Sequence, residues 1–126
     1  MLTNRPFMPI LPVLDLARAY QFYRDKLGLR PSNEKAPPET AIFDAAGSKL
    51  ELQRRDQPTK AEHTAITFEV EDIEREVKEL EKRGVHFEDY DVPSLKTEGH
   101  IARIEGMSCA WFKDPDRNVL SISEHH

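Results

Sequence analysis

The two halves of this sequence repeat one another. The segment Val13-Leu-Asp15-Leu16, which reads as a strand running into a helix, recurs later as Val70-Glu-Asp72-Ile73. The glycines expected to end the two helices, Gly28 and Gly84, keep the same spacing from these segments to within one residue. Self-similarity at a fixed offset indicates two copies of one supersecondary unit.

A second match extends the repeat. The stretch 44–52 (DAAGSKLEL) aligns without gaps with 114–122 (DPDRNVLSI). Turn residues and alternating apolar positions predict the following strands. They are 6–13, 29–34, 40–46, 48–55, 62–70, 85–90, 99–105, 107–113 and 118–123. Each half therefore reads as a strand, a helix and three further strands, although a repeat of this kind can also be a purely structural relic.

Each half carries one amphipathic helix. Asp15 and Asp72 are good N-cap residues, because a short carboxylate can accept a hydrogen bond from a free N–H of the first turn. Apolar residues follow each cap at helical spacing, and a glycine follows the last of them, as at many helix C-termini. The sequence therefore predicts helices from about residue 16 to Gly28 and from about residue 73 to Gly84.

One such βαβββ module can cover only one face of its own sheet. We expect two modules, about 5–56 and 61–124, to make one α+β domain over residues 1–126. Placed edge to edge, within a chain or across a dimer, they would form a curved mixed sheet with the helices outside. The concave inner face would be a cup for a small ligand. The polar stretch 53–62 reads as the join between the modules.

Composition excludes several classes of partner. The formal charge of −5 and the pI near 5.5 argue against nucleic acid and anionic membranes, which need a dense basic face. No window approaches the ~18 apolar residues of a membrane span. The N-terminal stretch does not read as a signal peptide, and the single cysteine, Cys109, excludes an internal disulfide. These features predict a cytoplasmic protein.

Three stretches carry a family resemblance. They are Ile10 to Gly28, with its Phe-Tyr-x-x-x-Leu-Gly ending, Ile66 to Ile73, and Ala110 to Asn118, with its Asp-Pro-Asp-x-Asn turn. On these motifs the chain resembles the vicinal oxygen chelate superfamily, which holds glyoxalase I, bleomycin-resistance proteins, fosfomycin-resistance enzymes and extradiol dioxygenases. The resemblance implies the paired-module fold and a homodimer. The family's usual glycine in the late turn is Arg117 here, which costs about 1 kcal/mol if the position needs a positive φ.

In the metal-dependent members, four inward strand positions supply His, Gln or Glu ligands. The resemblance places these at Met8, Glu51, Ala65 and Ser121, and the repeat relates Met8 to Ala65 and Glu51 to Ser121. Only Glu51 suits a hard or borderline divalent ion, whereas an open catalytic site needs about three protein ligands. A substitute cluster of His63, Glu51 and Glu69 is disfavoured, because residues four to six apart on a strand spread over ~13–20 Å. We therefore predict no metal or other cofactor.

Strand alternation predicts which side chains line the cup. The predicted ligand-binding residues are Met8, Ile10, Glu51, Gln53, Ala65, Thr67, Trp111 and Ser121. Two of these residues also have a purely structural interpretation. Trp111 is then part of the core or of a dimer interface, and Glu51 is an ion-pair partner of Arg54, Arg55 or Arg103. Cys109 is expected to be a small buried residue and not a nucleophile.

The leading hypothesis is a metal-independent binding protein of the sequestration or resistance type. It would hold a small planar, aromatic or cationic molecule in the cup. The alternative is a divergent metal-dependent or Glu-based lyase, isomerase or dioxygenase of the same superfamily, with Glu51 as its catalytic residue. A third possibility, a protein-partner module, has the weakest support. The long loop 91–99 reads as a lid, a partner-binding segment or an ordinary connection.

Overall fold

A computed structural model describes residues 1–126, and the chain divides into two compact units, Met1–Lys60 and Ala61–His126. The boundary falls inside the polar stretch 53–62. Each unit holds one mixed β-sheet, of four strands in the first and five in the second, with one helix on a face of it, and the second unit adds a two-stranded hairpin. The α+β class is confirmed, and so is the βαβββ plan of each half.

The first unit opens with a short 3-10 turn at Leu2–Asn4. Its elements are β1 (Ile10–Val13), α1 (Leu16–Gln21) with a π-helical turn (Phe22–Lys26), β2 (Arg30–Pro31), β3 (Thr40–Ala45) and β4 (Ser48–Arg54). The strand order is β1-β4-β3-β2. Strand β1 runs parallel to β4, and the other pairs are antiparallel.

The core of this unit lies between the helix and the sheet. Tyr23 is fully buried and its ring lies 6.1 Å from the ring of Phe43, on β3. Phe43 pairs with Leu50 on β4, and both Leu50 and Leu52 are buried on this face. Because side chains alternate along a strand, Glu51 points to the face without the helix.

The second unit follows the same plan with an insertion. Its elements are β5 (Thr64–Glu69), α2 (Ile73–Lys82), β6 (Phe87–Glu88), β7 (Asp91–Val92), β8 (Leu95–Lys96), β9 (Ala102–Ile104), β10 (Met107–Lys113) and β11 (Val119–His125). The strand order is β5-β11-β10-β6, with β9 beside β10 and a separate β7–β8 hairpin. Strand β5 runs parallel to β11, as β1 does to β4.

The helix caps confirm the repeat in detail. Asp15 Oδ1 accepts a hydrogen bond of 3.1 Å from the backbone N–H of Arg18, and Asp72 Oδ1 accepts one of 3.1 Å from the N–H of Arg75. Each bond reaches three residues ahead and satisfies an N–H that the helix itself leaves free. The two copies therefore use the same local device at the same position.

Several predicted boundaries are wrong. The segment 91–99 is not an irregular loop, because Asp91 pairs with Lys96 and Val92 with Leu95 in a hairpin. Three predicted strands are only two or three residues long: 29–34 becomes Arg30–Pro31, 85–90 becomes Phe87–Glu88, and 99–105 becomes Ala102–Ile104. The first strand begins only at Ile10.

The first helix also departs from the prediction. It turns from α to π geometry after Gln21, and the N–H of Leu27 donates to the carbonyl of Phe22. Just past the turn, the N–H of Leu29 donates to Tyr23 O, six residues back, whereas the equivalent Val85 donates to Leu80 O, five residues back. The first helix therefore contains one residue more than the second between its cap and its closing bond.

The late turn at Asp114–Asn118 is fixed by a buried carboxylate. Asp114 Oδ1 accepts bonds of 2.9 Å from the N–H groups of Asp116 and Asn118, and Oδ2 accepts one of 2.8 Å from the Asn118 amide. Arg117, between them, has a φ of 69°. The position does require a positive φ, as the family pattern implies.

Neither helix of the protein has the length and apolar character needed to cross a membrane.

Candidate functional site

The face of the first sheet opposite α1 holds the predicted residues of that unit. We call it the helix-free face of unit 1. Its side chains alternate with the buried leucines of β4 and with Phe43 of β3. It comprises Ile10 and Pro12 on β1, Ile42 and Asp44 on β3, and Lys49, Glu51 and Gln53 on β4.

Glu51 is the most unusual side chain on this face. It pairs with Ile10 on the parallel neighbour β1 and with Ile42 on the antiparallel neighbour β3. Only 7% of Glu51 is exposed. Its backbone N–H donates to Pro9 O at 3.0 Å, but its carboxylate forms no hydrogen bond and no ion pair. The Glu51 side chain is therefore largely buried beside Ile42, whereas Ile10 on its other side is 51% exposed, and the chain supplies it with no counter-charge.

The arginines considered as partners of Glu51 do not pair with it. Arg54 Nη1 lies 3.1 Å from Asp56 Oδ1 and 3.6 Å from Glu39 Oε2. The Arg55 side chain forms no ion pair, and in the second unit Arg103 binds Glu74 at 2.8 Å. The interpretation of Glu51 as one half of a structural ion pair is therefore wrong.

The other charged residues on this face, Lys49 and Asp44, pair with each other. Lys49 Nζ contacts Asp44 Oδ1 and lies 3.4 Å from Glu34 Oε1 and 3.3 Å from Ser32 Oγ. The hydrogen bond to Lys49 holds the pKa of the Asp44 carboxyl below its ordinary value, and the same bond raises the pKa of Lys49. Lys49 is thus already paired with Asp44 and Glu34.

The face of the second sheet opposite α2, which we call the helix-free face of unit 2, carries a pair of aromatic rings. Trp111 Nε1 donates a hydrogen bond of 3.2 Å to Thr64 Oγ1. Tyr90 approaches the same indole edge-on, with ring centroids 5.5 Å apart and planes at 88°. Trp111 and Tyr90 are both half-buried, so part of each ring stays accessible. The hydroxyl and the second ring together fix the orientation of the indole.

Hydroxyl groups continue this face beyond the indole. Ser121 on β11 pairs with Trp111 on one side and with Thr67 on the other. Thr67 Oγ1 and Ser123 Oγ lie 3.2 Å apart and share a hydrogen bond. By the repeat, Thr67 corresponds to Ile10 and Ser121 to Glu51. The apolar and acidic row of unit 1 is thus replaced by a neutral polar row in unit 2.

Ala65 lies at an irregularity of strand β5. Val119 pairs with Thr64, but the next residue, Leu120, pairs with Ile66, so Thr64 and Ala65 together oppose Val119. A bulge of this kind adds one residue and re-aims the side chains beside it. It explains how the Thr64 hydroxyl reaches the indole.

Cys109 is on this face as well, between Ala102 and Ser123 on the neighbouring strands. It is buried, as expected, and burial raises the pKa of its thiol. A thiol held in its neutral form is a poor nucleophile at neutral pH.

The eight predicted site residues thus fall into two groups, one in each unit. In unit 1, Ile10 and Glu51 are direct partners, Gln53 follows on β4, and Met8 lies before the start of β1. In unit 2, Thr67, Ser121 and Trp111 form one cross-strand row, and Ala65 sits in the bulge. That these residues bind a ligand remains a prediction.

The sequence reasoning missed Thr64, Ile42 and Tyr90 as site residues. Thr64 is out of phase with simple alternation, and only the bulge places it beside Trp111. Ile42 is a regular inward position of β3 and could have been found from its pairing with Glu51. The approach of Tyr90 to Trp111 depends on tertiary packing that no local pattern indicates.

The donor set at the family's metal positions does not fit a divalent ion. Met8 offers a thioether, Ser121 a neutral hydroxyl and Ala65 no ligand atom, which leaves the Glu51 carboxylate. Elsewhere in the chain, no group of three or more His, Cys, Asp or Glu side chains is arranged to hold a metal.

A Ser–His–carboxylate cluster on the helix side of unit 2 has a structural role. His126 Nε2 lies 2.9 Å from Ser108 Oγ, and His126 Nδ1 lies 3.3 Å from Glu124 Oε2. Ser108 is fully buried and its oxygen accepts from Arg103, so no substrate reaches it. Glu124 also accepts from the N–H of Ile73, which ties the last strand to the start of α2.

A groove of about 670 Å³ lies on the helix side of unit 1. Tyr20 and Pro31 contribute to its mostly apolar wall. Its charged residue, Arg24, is held by Asp25 at 2.8 Å and lies over the Tyr20 ring. The charged residue of the groove is therefore already paired and not available to a ligand. We place the candidate site residues on the helix-free face of each unit instead.

Known proteins share this fold. An uncharacterized protein of Bacillus subtilis (strain 168), YraH, is 29% identical over 127 residues, covering 89% of this chain and 91% of its own. A glyoxalase family protein from Enterococcus faecalis superposes with a TM-score of 0.73 at 22% identity, over 98% of this chain and 100% of the other. TnmS3, an antibiotic binding protein from Streptomyces sp. CB03234, gives 0.70 at 20% identity, over 100% and 99%.

The family assignment rests on nearly the whole length of the chain. Residues 6–122 match the Glyoxalase/Bleomycin resistance protein/Dioxygenase superfamily. The match spans both copies of the repeat, both capped helices and the late Asp-Pro-Asp turn. The chain is therefore a member of the Glyoxalase/Bleomycin resistance protein/Dioxygenase superfamily.

Proposed function

We propose that this protein binds a small planar molecule on the helix-free face of unit 2, as a sequestration or resistance protein and without a metal. The observation that carries the proposal is the Trp111 indole, held by Thr64 at 3.2 Å and by the edge of Tyr90. A partly exposed aromatic ring whose orientation is fixed can stack on a flat ligand.

The energetics favour a flat ligand. Aromatic stacking contributes about 0.5–1.5 kcal/mol beyond the area that it buries, and a pre-oriented ring loses little freedom on binding. The exposed Thr67 hydroxyl can accept or donate beyond its bond to Ser123, so it suits the polar edge of a heteroaromatic ligand, and Ser121, only 4% exposed, lies beside it. The surface combines a large apolar contact with a few polar ones, as small-molecule sites usually do.

A relative supports the same class of function. TnmS3 shares the fold over the whole length of this chain and is named an antibiotic binding protein. Sequestration needs affinity and no reacting group, and the residues at the family's metal positions suit that requirement. We extend the proposal to a homodimer, which the family resemblance implies, and to a cytoplasmic location, which the single cysteine favours. Light scattering coupled to gel filtration measures the oligomeric state.

Tryptophan fluorescence tests the proposal directly, because Trp111 is the chain's single tryptophan. Bleomycin-type glycopeptides, planar aromatic acids and aromatic amines are titrated into the protein, and melting temperature is measured in parallel. We expect saturable quenching of the emission and a higher melting temperature for at least one class. Trp111→Phe keeps a ring and removes the signal, so it separates binding from changes in emission alone. No change in emission or melting with any class would refute the proposal.

An enzymatic function is the second candidate, since the buried Glu51 carboxylate is available for acid–base chemistry. A lyase, isomerase or dioxygenase activity could use Glu51 alone or a metal held by unorthodox ligands. Elemental analysis of protein purified without chelators tests the metal version, and near-stoichiometric nickel, zinc, manganese or iron would favour it over sequestration. For the carboxylate version, turnover of an identified substrate should be lost in Glu51→Gln.

A further inference from the structure

We propose that Glu51 binds a protonated amine, so that the ligand of unit 1's helix-free face is an ammonium group flanked by apolar groups. This inference rests on the proposed binding function, extends it to unit 1 and names the chemical class of ligand that unit 1 takes. It starts from a carboxylate on a largely buried side chain that has no partner within the chain.

Burial makes the missing partner significant. Glu51 is only 7% exposed, and its oxygens form neither a hydrogen bond nor an ion pair. Charged groups inside proteins are almost always paired, because loss of hydration is costly unless another charge or donor compensates for it. Neither carboxylate oxygen of Glu51 is cut off from water, so a bound cation can reach both oxygens and replace water as their partner.

Two of the chain's own cations near this face, Lys49 and Arg54, are paired with other acids. Lys49 is two residues from Glu51 on the same strand and faces the same side, yet its ammonium contacts Asp44 and Glu34. Arg54 is held by Asp56 at 3.1 Å. Rotation of either side chain toward Glu51 would break existing pairs, so neither is a spare counter-ion.

The neighbours of Glu51 define the rest of the ligand. Ile10 and Ile42 are its direct cross-strand partners, one on each side. One carboxylate between two isoleucines lacks the six to eight oxygens that calcium takes and the four ligands of a structural zinc site. An alkylammonium ion needs one carboxylate, and its hydrocarbon body packs on isoleucine. The site therefore suits an amine better than a metal ion.

Three probes with one aromatic body test the charge preference. They are 1-naphthylmethylamine, 1-naphthalenemethanol and 1-naphthoic acid, titrated by calorimetry at neutral pH. We expect the amine to bind the wild type at least about tenfold more tightly than the alcohol, as charge-assisted hydrogen bonds allow, and the acid to bind most weakly. Glu51→Gln, which keeps the shape, should remove the difference between amine and alcohol. Glu39→Gln removes an equal charge from an exposed position of the same unit and should keep it.

A second readout separates this inference from the binding function as a whole. n-Butylammonium chloride is compared with potassium chloride at equal ionic strength, with melting temperature as the signal. If no naphthyl probe binds but butylammonium still stabilises the wild type and not Glu51→Gln, the planar-ligand function fails and the amine site stands. If amine and alcohol bind equally, or if Glu51→Gln keeps the preference, the amine site is refuted. It is also refuted if butylammonium acts no differently from potassium, or if divalent metals, and not amines, stabilise the protein through Glu51.

Discussion

The indole of Trp111 and the hydroxyl of Thr64 are joined by a 3.2 Å hydrogen bond across a sheet in which β11 separates their strands. The Thr64 hydroxyl that makes this bond lies at the irregularity of β5, where Thr64 and Ala65 together oppose Val119. A backbone irregularity thus sets the orientation of the aromatic surface on which the proposed function depends.

Replacing Thr64 by valine should loosen the indole. Valine matches the shape of threonine but cannot accept the bond, and a neutral hydrogen bond of this kind contributes about 0.5–1.5 kcal/mol. We expect faster decay of the Trp111 fluorescence anisotropy and planar ligands that bind about two- to tenfold more weakly. Thr67→Val is the matched control for the anisotropy, since the Thr67 hydroxyl bonds Ser123. Equal anisotropy decay in wild type and Thr64→Val would show that the bond does not restrain the ring.

Removal of the Asp114 carboxylate should destabilise unit 2 severely. Asp114 is 4% exposed and accepts three hydrogen bonds, so its loss leaves buried N–H groups without an acceptor. We expect Asp114→Ala to lower the free energy of unfolding by about 2–4 kcal/mol in urea titrations. Asp56→Ala removes an exposed carboxylate paired with Arg54 and should change it by less than about 0.5 kcal/mol. A loss as small as that of the control would contradict the assigned role of Asp114.

Glycine at position 117 should stabilise the protein. Arg117 holds a φ of 69°, which costs a side-chain-bearing residue about 1 kcal/mol and glycine almost nothing. We expect Arg117→Gly to raise the free energy of unfolding by up to about 1 kcal/mol, reduced in part by the greater freedom of glycine in the unfolded chain. Arg117→Ala shortens the side chain and keeps the strain, so it should give no such gain. If alanine stabilises as much as glycine, strain is not the cause.

The Asp44–Lys49 pair predicts a defined response to acid. Because Lys49 lowers the pKa of Asp44 in the folded state, the pair's contribution is complete above the ordinary carboxyl pKa and is lost as pH falls through the folded-state value. The Asp44 carboxyl, followed by NMR, should titrate below its ordinary range, and Lys49→Gln should return it toward that range. An unchanged titration in Lys49→Gln would mean that the lysine is not the cause.

The parts of the fold that depend on short-range chemistry could be predicted from sequence. Asp15 and Asp72 cap helices as the pattern indicates, and both halves follow the predicted βαβββ plan. Alternation places Leu50 and Leu52 in the core and therefore Glu51 on the other face. Each of these follows from a local periodicity that tertiary contacts did not override.

What could not be predicted depends on backbone irregularity or distant pairing. The β7–β8 hairpin has strands of only two residues each, too short for an alternating pattern. Nothing in the composition of Thr64–Ala65 signals a bulge, because the extra residue is defined only by its partner strand. The isolation of Glu51 was equally hidden, since it depends on where the arginines and Lys49 find their own acids.

The π-helical turn at Phe22–Lys26 explains why the first copy of the repeat has one residue more than the second between its capping aspartate and its closing glycine. A shift of one position in a strand would exchange its two faces, so that leucines would meet water and Glu51 would enter the core. A helix can take up one residue as a local widening, and the strands behind it keep their phase. The two copies have thus diverged in length at the point in the module where a change of length leaves the chemistry of the sheet intact.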